Sequence, residues 1–322
     1  MRIAITGSIA FDYIMTYPGQ FREMLLAESL DKISVSFLVD EMSRHFGGVA
    51  PNIAYTLALL GERPVLVGTA GQDFEAYRLW LEHVGVDTSG TRVHEDLFTA
   101  SFFCSTDQQQ NQIAMFYTGA MARARDLPLA EAVPNTPDLV VISPNDPAAM
   151  HNLIAECKAR CIPYLYDPSQ QVARLHGEEL AEGVDGAHML IVNEYEHNAL
   201  QIKTGLTHDD FMEQAGVVVV TRGENGADIY APEGTYHIPA VPPRRVVDPT
   251  GVGDGFRGGL LKGLAAGWPW EISGRVGALA ATYVLEERGT QSHRYTRQQF
   301  VARFREHFDD DGLLDAMLGG EP

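Results

Sequence analysis

The clearest chemical signal in the chain is a carboxylate set inside a glycine-rich turn, Asp248-Pro-Thr-Gly-Val-Gly-Asp254. A short β run, Arg245-Val246-Val247, leads into Asp248-Pro249, and an amphipathic helix is expected from Gly255. Pro249 offers no N–H to a ladder, so the strand should stop there. The glycines allow a tight turn in which amides 251–254 converge on the helix start, where the helix dipole reinforces them. Such a place attracts an anion. Asp254 would repel a bound phosphate unless it has a reaction to perform. The fitting reaction is removal of a proton from a hydroxyl that attacks a γ-phosphoryl group. A helix start without chemistry is the plain alternative on the local sequence.

The same stretch contains a literal dinucleotide fingerprint, Gly253-Asp-Gly255-Phe-Arg-Gly258, with Glu271 near the spacing of a ribose acid. That reading is set aside. The match falls late in the chain, an acid occupies its first variable position, and Glu271 follows Trp268-Pro269-Trp270 where a strand end is needed. No Walker-type phosphate loop and no protein-kinase catalytic loop is present.

To place Asp254, the chain needs a frame. Short apolar runs at 3–6, 64–67, 139–142, 164–166, 189–192 and 217–221 read as buried parallel strands. Helical spacing at 51–60, 74–83, 148–159, 194–203 and 255–266 separates them. The alternation implies right-handed crossovers and a mostly parallel sheet with helices on both faces, an α/β fold. Two regions break the rhythm. Residues 12–46 contain alternation such as Lys32-Ile33-Ser34-Val35-Ser36-Phe37, and 98–118 read as a hairpin around the polar turn 106–111. Together they suggest a small β-rich lid inserted into a single domain spanning 1–322.

The bulk numbers fit a soluble enzyme of 322 residues, with 45% hydrophobic and 21% charged residues. With 24 basic against 43 acidic residues, the net charge of −19 argues against nucleic acid and anionic membranes as partners. The first apolar run is short and no stretch reaches the length of a membrane span, so a cytoplasmic location is expected. The cysteines Cys104, Cys157 and Cys161 are odd in number, which argues against a disulfide framework. Cys157 and Cys161, four apart on one helix face, are expected to be small buried hydrophobes. The run Asp309-Asp310-Asp311 reads as a solvated turn.

Four ordered stretches now carry a resemblance: Gly47-Gly48 with Asn52, Asn193-Glu-Tyr-Glu196, Thr221-Arg-Gly223 and Asp248-Pro-Thr-Gly-Val-Gly-Asp254. They resemble the signatures of the pfkB (ribokinase-like) family over nearly the whole chain. Further stretches are similar to bacterial adenosine kinases: Thr6-Gly-Ser-Ile-Ala10 with Asp12, Ser34 to Val39, Phe46 to Ala50, Gln112 to Met121, Asp167-Pro-Ser-Gln-Gln171 and Asp248 to Arg257. The resemblance implies a ribokinase-like fold with a β-lid, ATP as donor with Mg2+, adenosine as acceptor, and a homodimer formed through the lids. Some relatives hold a monovalent cation, which would fall near Asp248 and Thr250.

Carried over residue by residue, the resemblance makes Asp254 the base that deprotonates the 5′-hydroxyl, and Gly251, Val252 and Gly253 the anion hole. Asp12, Gly48 and Asn52 would hold the ribose hydroxyls, with Ser8 and Gln171 adding polar contacts. Without the resemblance, Asp12 reads as a turn residue and Asn52 as a polar group near a helix start. Phe102 and Phe116 match the aromatics that sandwich adenine, where flat apolar faces gain from stacking. Both could instead fill the lid's core, and Phe103 is an alternative partner because strand neighbours face opposite ways. Asn193, Thr221 and Gly223 would meet ATP phosphates, and Glu196 would hold Mg2+ through water. Asn193 also suits a helix N-cap. Residues 281–291 are expected near the adenine of ATP. Pro51 and Gly255 depart from the family pattern, and a proline is acceptable in a helix's first turn. The rival functions are a sugar kinase, a broad nucleoside kinase and a non-catalytic nucleoside-binding regulator. The intact Asp254 argues against the last.

Overall fold

The computed structural model describes residues 1–25 and 34–319. Its strands are β1 (Ile3–Thr6), β2 (Ala10–Thr16), β3 (Glu41–Gly47), β4 (Val65–Gly71), β5 (Thr91–His94), β6 (Ala100–Thr106), β7 (Gln112–Tyr117), β8 (Leu139–Ile142), β9 (Tyr164–Tyr166), β10 (Met189–Asn193), β11 (Val218–Thr221), β12 (Ala227–Ala231) and β13 (Gly234–Ile238). Nine of them form one sheet in the order β13-β12-β11-β10-β9-β8-β1-β4-β5. Pairs from β11 to β5 are parallel, and β12 and β13 close one edge antiparallel.

Leu139–Ile142 is apolar throughout, and Val218–Thr221 is apolar up to its last residue, because both faces of the sheet are covered. Ile3 and Ile5 point into one core with Val141, Ile191 and Val219; helices Val49–Leu59, Val252–Ala266 and Trp270–Leu285 cover that face. Ala4, Val140, Leu190 and Val218 face the other core, under helices Pro147–Ala159 and Glu194–Thr204. The six apolar runs anticipated from sequence are all strands, with ends shifted by a few residues.

The remaining strands form a separate four-stranded sheet, β3-β2-β6-β7. Its register aligns His45, Asp12, Phe102 and Phe116 in one row and Arg44, Tyr13, Phe103 and Met115 in the next. Successive rows face opposite sides of a sheet.

Three local expectations need correction. Val246 is exposed and 245–247 are not a strand; the Val247 and Asp248 N–H groups both donate to the Leu285 carbonyl instead. The following helix begins at Val252 rather than Gly255, which puts Asp254 in its first turn. The alternation at 32–37 gives no strand at 34–37, and Lys32 and Ile33 lie outside the described residues. Cys157 is fully buried as expected. Cys161 lies past the helix end at Ala159 and is exposed. Among the described residues no helix is long and apolar enough to cross a membrane.

Candidate functional site

Asp254 sits where the two sheets meet the start of helix Val252–Ala266, which is entered through Gly251 at φ 79°. Its Oδ2 accepts from Asn52 Nδ2 at 2.9 Å. Asn52 Oδ1 in turn accepts from Gln291 Nε2 at 2.9 Å, and the same amide donates to the Tyr77 hydroxyl at 2.5 Å. The Tyr77 hydroxyl donates to the Gly47 carbonyl at 2.9 Å, and Trp80 Nε1 donates to Gln291 Oε1 at 3.2 Å. This chain fixes the carboxylate's orientation, since each member is held by the next.

Burial pushes the Asp254 carboxyl up to about 7; Arg257 and the Asn52 hydrogen bond pull it down, and Asp167 and Asp12 push it up. Asp12 is raised to about 6, by burial first and then by the charge of Asp248. Room for the Asp12 carboxylate depends on Gly47, where a Cβ would come within 2.3 Å of Asp12 Oδ2. Two carboxylates raised first by burial thus share one hollow, and perturbed carboxylates gathered in a hollow mark a candidate site.

That hollow has a volume of about 420 Å³, within the range for a small-molecule site. It is lined by Asp254, Asp12, Asn52, Ser8 and Gly48, by Phe102 and Phe116, and by Gln171 and Gly251. Ser8 Oγ accepts from the Val49 N–H, which ties it to the helix start at Gly48. Gln171 is buried and its Nε2 donates to the Asn145 carbonyl at 2.7 Å. Phe102 and Phe116 are cross-strand partners on the face that carries Asp12, so both rings look into the hollow from one side. Phe103 faces away and stacks on Tyr13 at 4.8 Å between ring centres.

The anion-hole residues divide. Gly251 lines the hollow, whereas the Val252 N–H donates to the Pro249 carbonyl at 3.4 Å. The first-turn amides of a helix lack intrahelical partners, and Gly253 and Asp254 occupy that turn.

The second group of residues lies outside this hollow, at the carboxyl ends of the parallel strands, the usual ligand side of an open α/β sheet. Asn193 and Thr221 are register partners on β10 and β11. Gly223 follows at φ 57°, with open space beside it. Asn193 and Glu196 form a complete capping box: each side chain accepts the other's backbone N–H at 2.8 Å. The N-cap reading of Asn193 therefore holds. Burial raises the Glu196 carboxyl. Among the described residues no cluster of three His, Cys, Asp or Glu side chains could hold a metal. A lone carboxylate, with one oxygen already taken by an amide, suits Mg2+ carried mainly by phosphates and water.

Sequence reasoning missed several contributors. Gln170, Arg174, Met121 and Thr290 also line the hollow. At the end of the segment 281–291, Thr290 lines the hollow and Gln291 belongs to the hydrogen-bond chain that reaches Asp254. Asp167 and Arg257, to which the sequence attaches no role, pair with each other. Both carboxylate oxygens of Asp248 accept amides, from Thr250 and Gly289.

Comparison with known proteins places this geometry. Residues 4–297 match the model of the pfkB family of carbohydrate kinases. The nucleoside kinase of Methanocaldococcus jannaschii is 27% identical, covering 95% of this chain and 97% of that protein. Its crystal structure, described as an archaeal member of the ribokinase family, superposes with a TM-score of 0.84 over 95% of this chain and 99% of that one. The nucleoside kinase of Methanothermobacter thermautotrophicus is 30% identical over 92% of this chain and 94% of its own. A nucleoside kinase from Burkholderia thailandensis, solved with inosine, is 37% identical, with a TM-score of 0.84 over 95% of this chain and 98% of that one. The same enzyme has been solved with ADP-inosine, at a TM-score of 0.82 over 95% and 96%.

Proposed function

The chain belongs to the pfkB family of carbohydrate kinases and is a nucleoside kinase with the ribokinase-like fold; from that premise we propose that it transfers the γ-phosphoryl group of Mg·ATP to the 5′-hydroxyl of purine nucleosides, adenosine among them. The observation that carries the reading is the shared hollow: one raised carboxylate, Asp254, at a helix start, and two aromatic rings on the row that holds Asp12.

In this reading Asp254 takes the proton of the 5′-hydroxyl as that oxygen attacks phosphorus. Asn52 aims the carboxylate through the bond at 2.9 Å, a duty closer to the base than the ribose contact expected for it from sequence. Asp12 grips ribose hydroxyls beside Gly48, which aligns the 5′-oxygen. The amides near Gly251 and Gly253 receive the transferring group, and Asn193, Thr221, Gly223 and Glu196 serve the rest of Mg·ATP. Phe102 and Phe116 present a platform to the base, and stacking there is tolerant of which purine is present. That tolerance, together with inosine in the 37%-identical neighbour, favours several acceptors over adenosine alone.

The small sheet then acts as a lid. Its outer face supports pairing of two chains: Tyr13 and Phe103 are stacked there, and Met115 and Met42 are 65% and 64% exposed.

Coupled assays over adenosine, inosine, guanosine, cytidine and ribose test the substrate. The expectation is turnover of adenosine and inosine far above ribose. Ribose as the only efficient acceptor would return the chain to the sugar kinases.

A further inference from the structure

Arg257 lies one turn along the helix from Asp254 and is only 5% exposed. A guanidinium buried there needs a partner, because an unpaired buried charge is strongly unfavourable. Asp167, itself fully buried behind β9, supplies one. Arg257 Nε lies 2.6 Å from Asp167 Oδ2, and Nη2 donates to Asp167 Oδ1 at 2.6 Å and to Ser169 Oγ at 3.2 Å. The close ion pair and the two hydrogen bonds from Nη2 hold the guanidinium against Asp167 and Ser169. The remaining nitrogen is aimed at the glycine turn: a Cβ on Gly253 would come within 2.7 Å of Arg257 Nη1. A side chain at 253 would therefore have to push this arm of the arginine away from its place against the turn.

The structure assigns Arg257 a positioning role: clamped by Asp167, it braces the 251–254 turn from beneath and keeps a fixed positive charge beside the Asp254 carboxylate. This rests on the reading of Asp254 as the base. The charged and titratable groups around Asp254 come from several elements. They are Arg257 on its own helix, Asp12 on β2, Asp167 behind β9 and Tyr77 on helix Glu75–His83; Glu196 acts on Arg257 from helix Glu194–Thr204, and Arg174 lines the hollow as an exposed side chain. Arg257 is the buried cation among them, and it is the first of the influences that favour the ionised carboxylate. Removing it leaves Asp254 among acids, so the proton would be held to higher pH. Lysine at 257 keeps the charge but has no fork to clamp, which separates the brace from the field.

The test compares the parent with Arg257→Met, Arg257→Lys and the paired Arg257→Met/Asp167→Leu. The paired variant removes both charges of the ion pair, so Asp167 is not left buried without its arginine. Folding is checked by circular dichroism, and kcat, nucleoside KM and the pH profile of kcat/KM are read. Arg257→Met is expected to lose roughly 100-fold in kcat with KM within about threefold, as for a small displacement of a reacting group. Its acid limb should move to higher pH, and Arg257→Lys should return the limb toward that of the parent while recovering only part of kcat. The paired variant should stay folded with kcat still low. Parent-like kcat and pH limb in either folded Met variant overturns the proposal. So does a loss that leaves the limb in place and that lysine does not relieve, which would mark a merely structural arginine. An Asp254→Asn control separates the two readings: near-parent turnover there removes the base assignment itself, whatever Arg257 does.

Discussion

On the helix side of the hollow, every group near the chemistry is held by another. Asp254 is tied to Asn52, Asn52 to Gln291, and Gln291 to Tyr77 and Trp80. On the sheet side, Phe102 and Phe116 stand as neighbours on two strands, and Phe116 is 46% exposed. The first wall spends its polar groups on one orientation of one carboxylate. The second offers flat apolar area whose shape a base can share but whose contacts nothing else enforces. The contrast teaches where each property should reside: the chemical step on the fixed wall, and the choice and tightness of the nucleoside on the open one.

Mutations on the two walls should therefore fail in different ways. Asp254→Asn should lower kcat by about three orders of magnitude, the scale of a lost general base, with nucleoside affinity nearly kept; steady-state kinetics and calorimetry read the two separately. Asn52→Leu should cost roughly 10- to 100-fold in kcat, because the carboxylate loses its aim while remaining present; the same assays check it. Phe116→Ala should raise nucleoside KM about tenfold with kcat within a factor of about two, on the scale of one lost base–aromatic contact. Phe103→Ala should leave that KM in place, because its ring lies on the opposite face against Tyr13; an equal rise would merge the two faces and remove the contrast. The smallest effect concerns monovalent cations. Exchange of K+ for Na+ should alter the rate by less than about twofold, since Asp248 already accepts the Thr250 and Gly289 amides.

Much of the fixed frame was legible because its signals are local. All-apolar runs ending in turn residues mark the buried strands, and the spacing of glycines around Asp254 marks the turn. The pieces that were not legible depend on partners far away in sequence. Arg257 and Asp167 are 90 residues apart, and Gln291 meets Asn52 across 239, so no pattern within either motif could pair them. Arg245-Val246-Val247 has strand-like residues, yet the Val247 amide turns to the end of the helix Trp270–Leu285 and 245–247 form no strand. Phe102 matched the family pattern with Phe103 as the alternative, and the pairing of β6 with β2 and β7 puts Phe102 on the row of Asp12 and Phe116 that faces the hollow. Cys161 matched the spacing of a helix face, but the helix had already ended at Ala159.

The central claim is that Asp254, raised by burial to about 7, must be ionised to act. Protonation below that value removes the base, and protonation of Asp12 near 6 removes a substrate contact, so both act in the same direction. The pH profile of nucleoside kcat/KM at fixed Mg·ATP is the most direct measurement. It should be level on the alkaline side, fall about tenfold per pH unit below about 7, and steepen below about 6. A profile that stays flat down to pH ~5 would contradict a buried carboxylate base at Asp254.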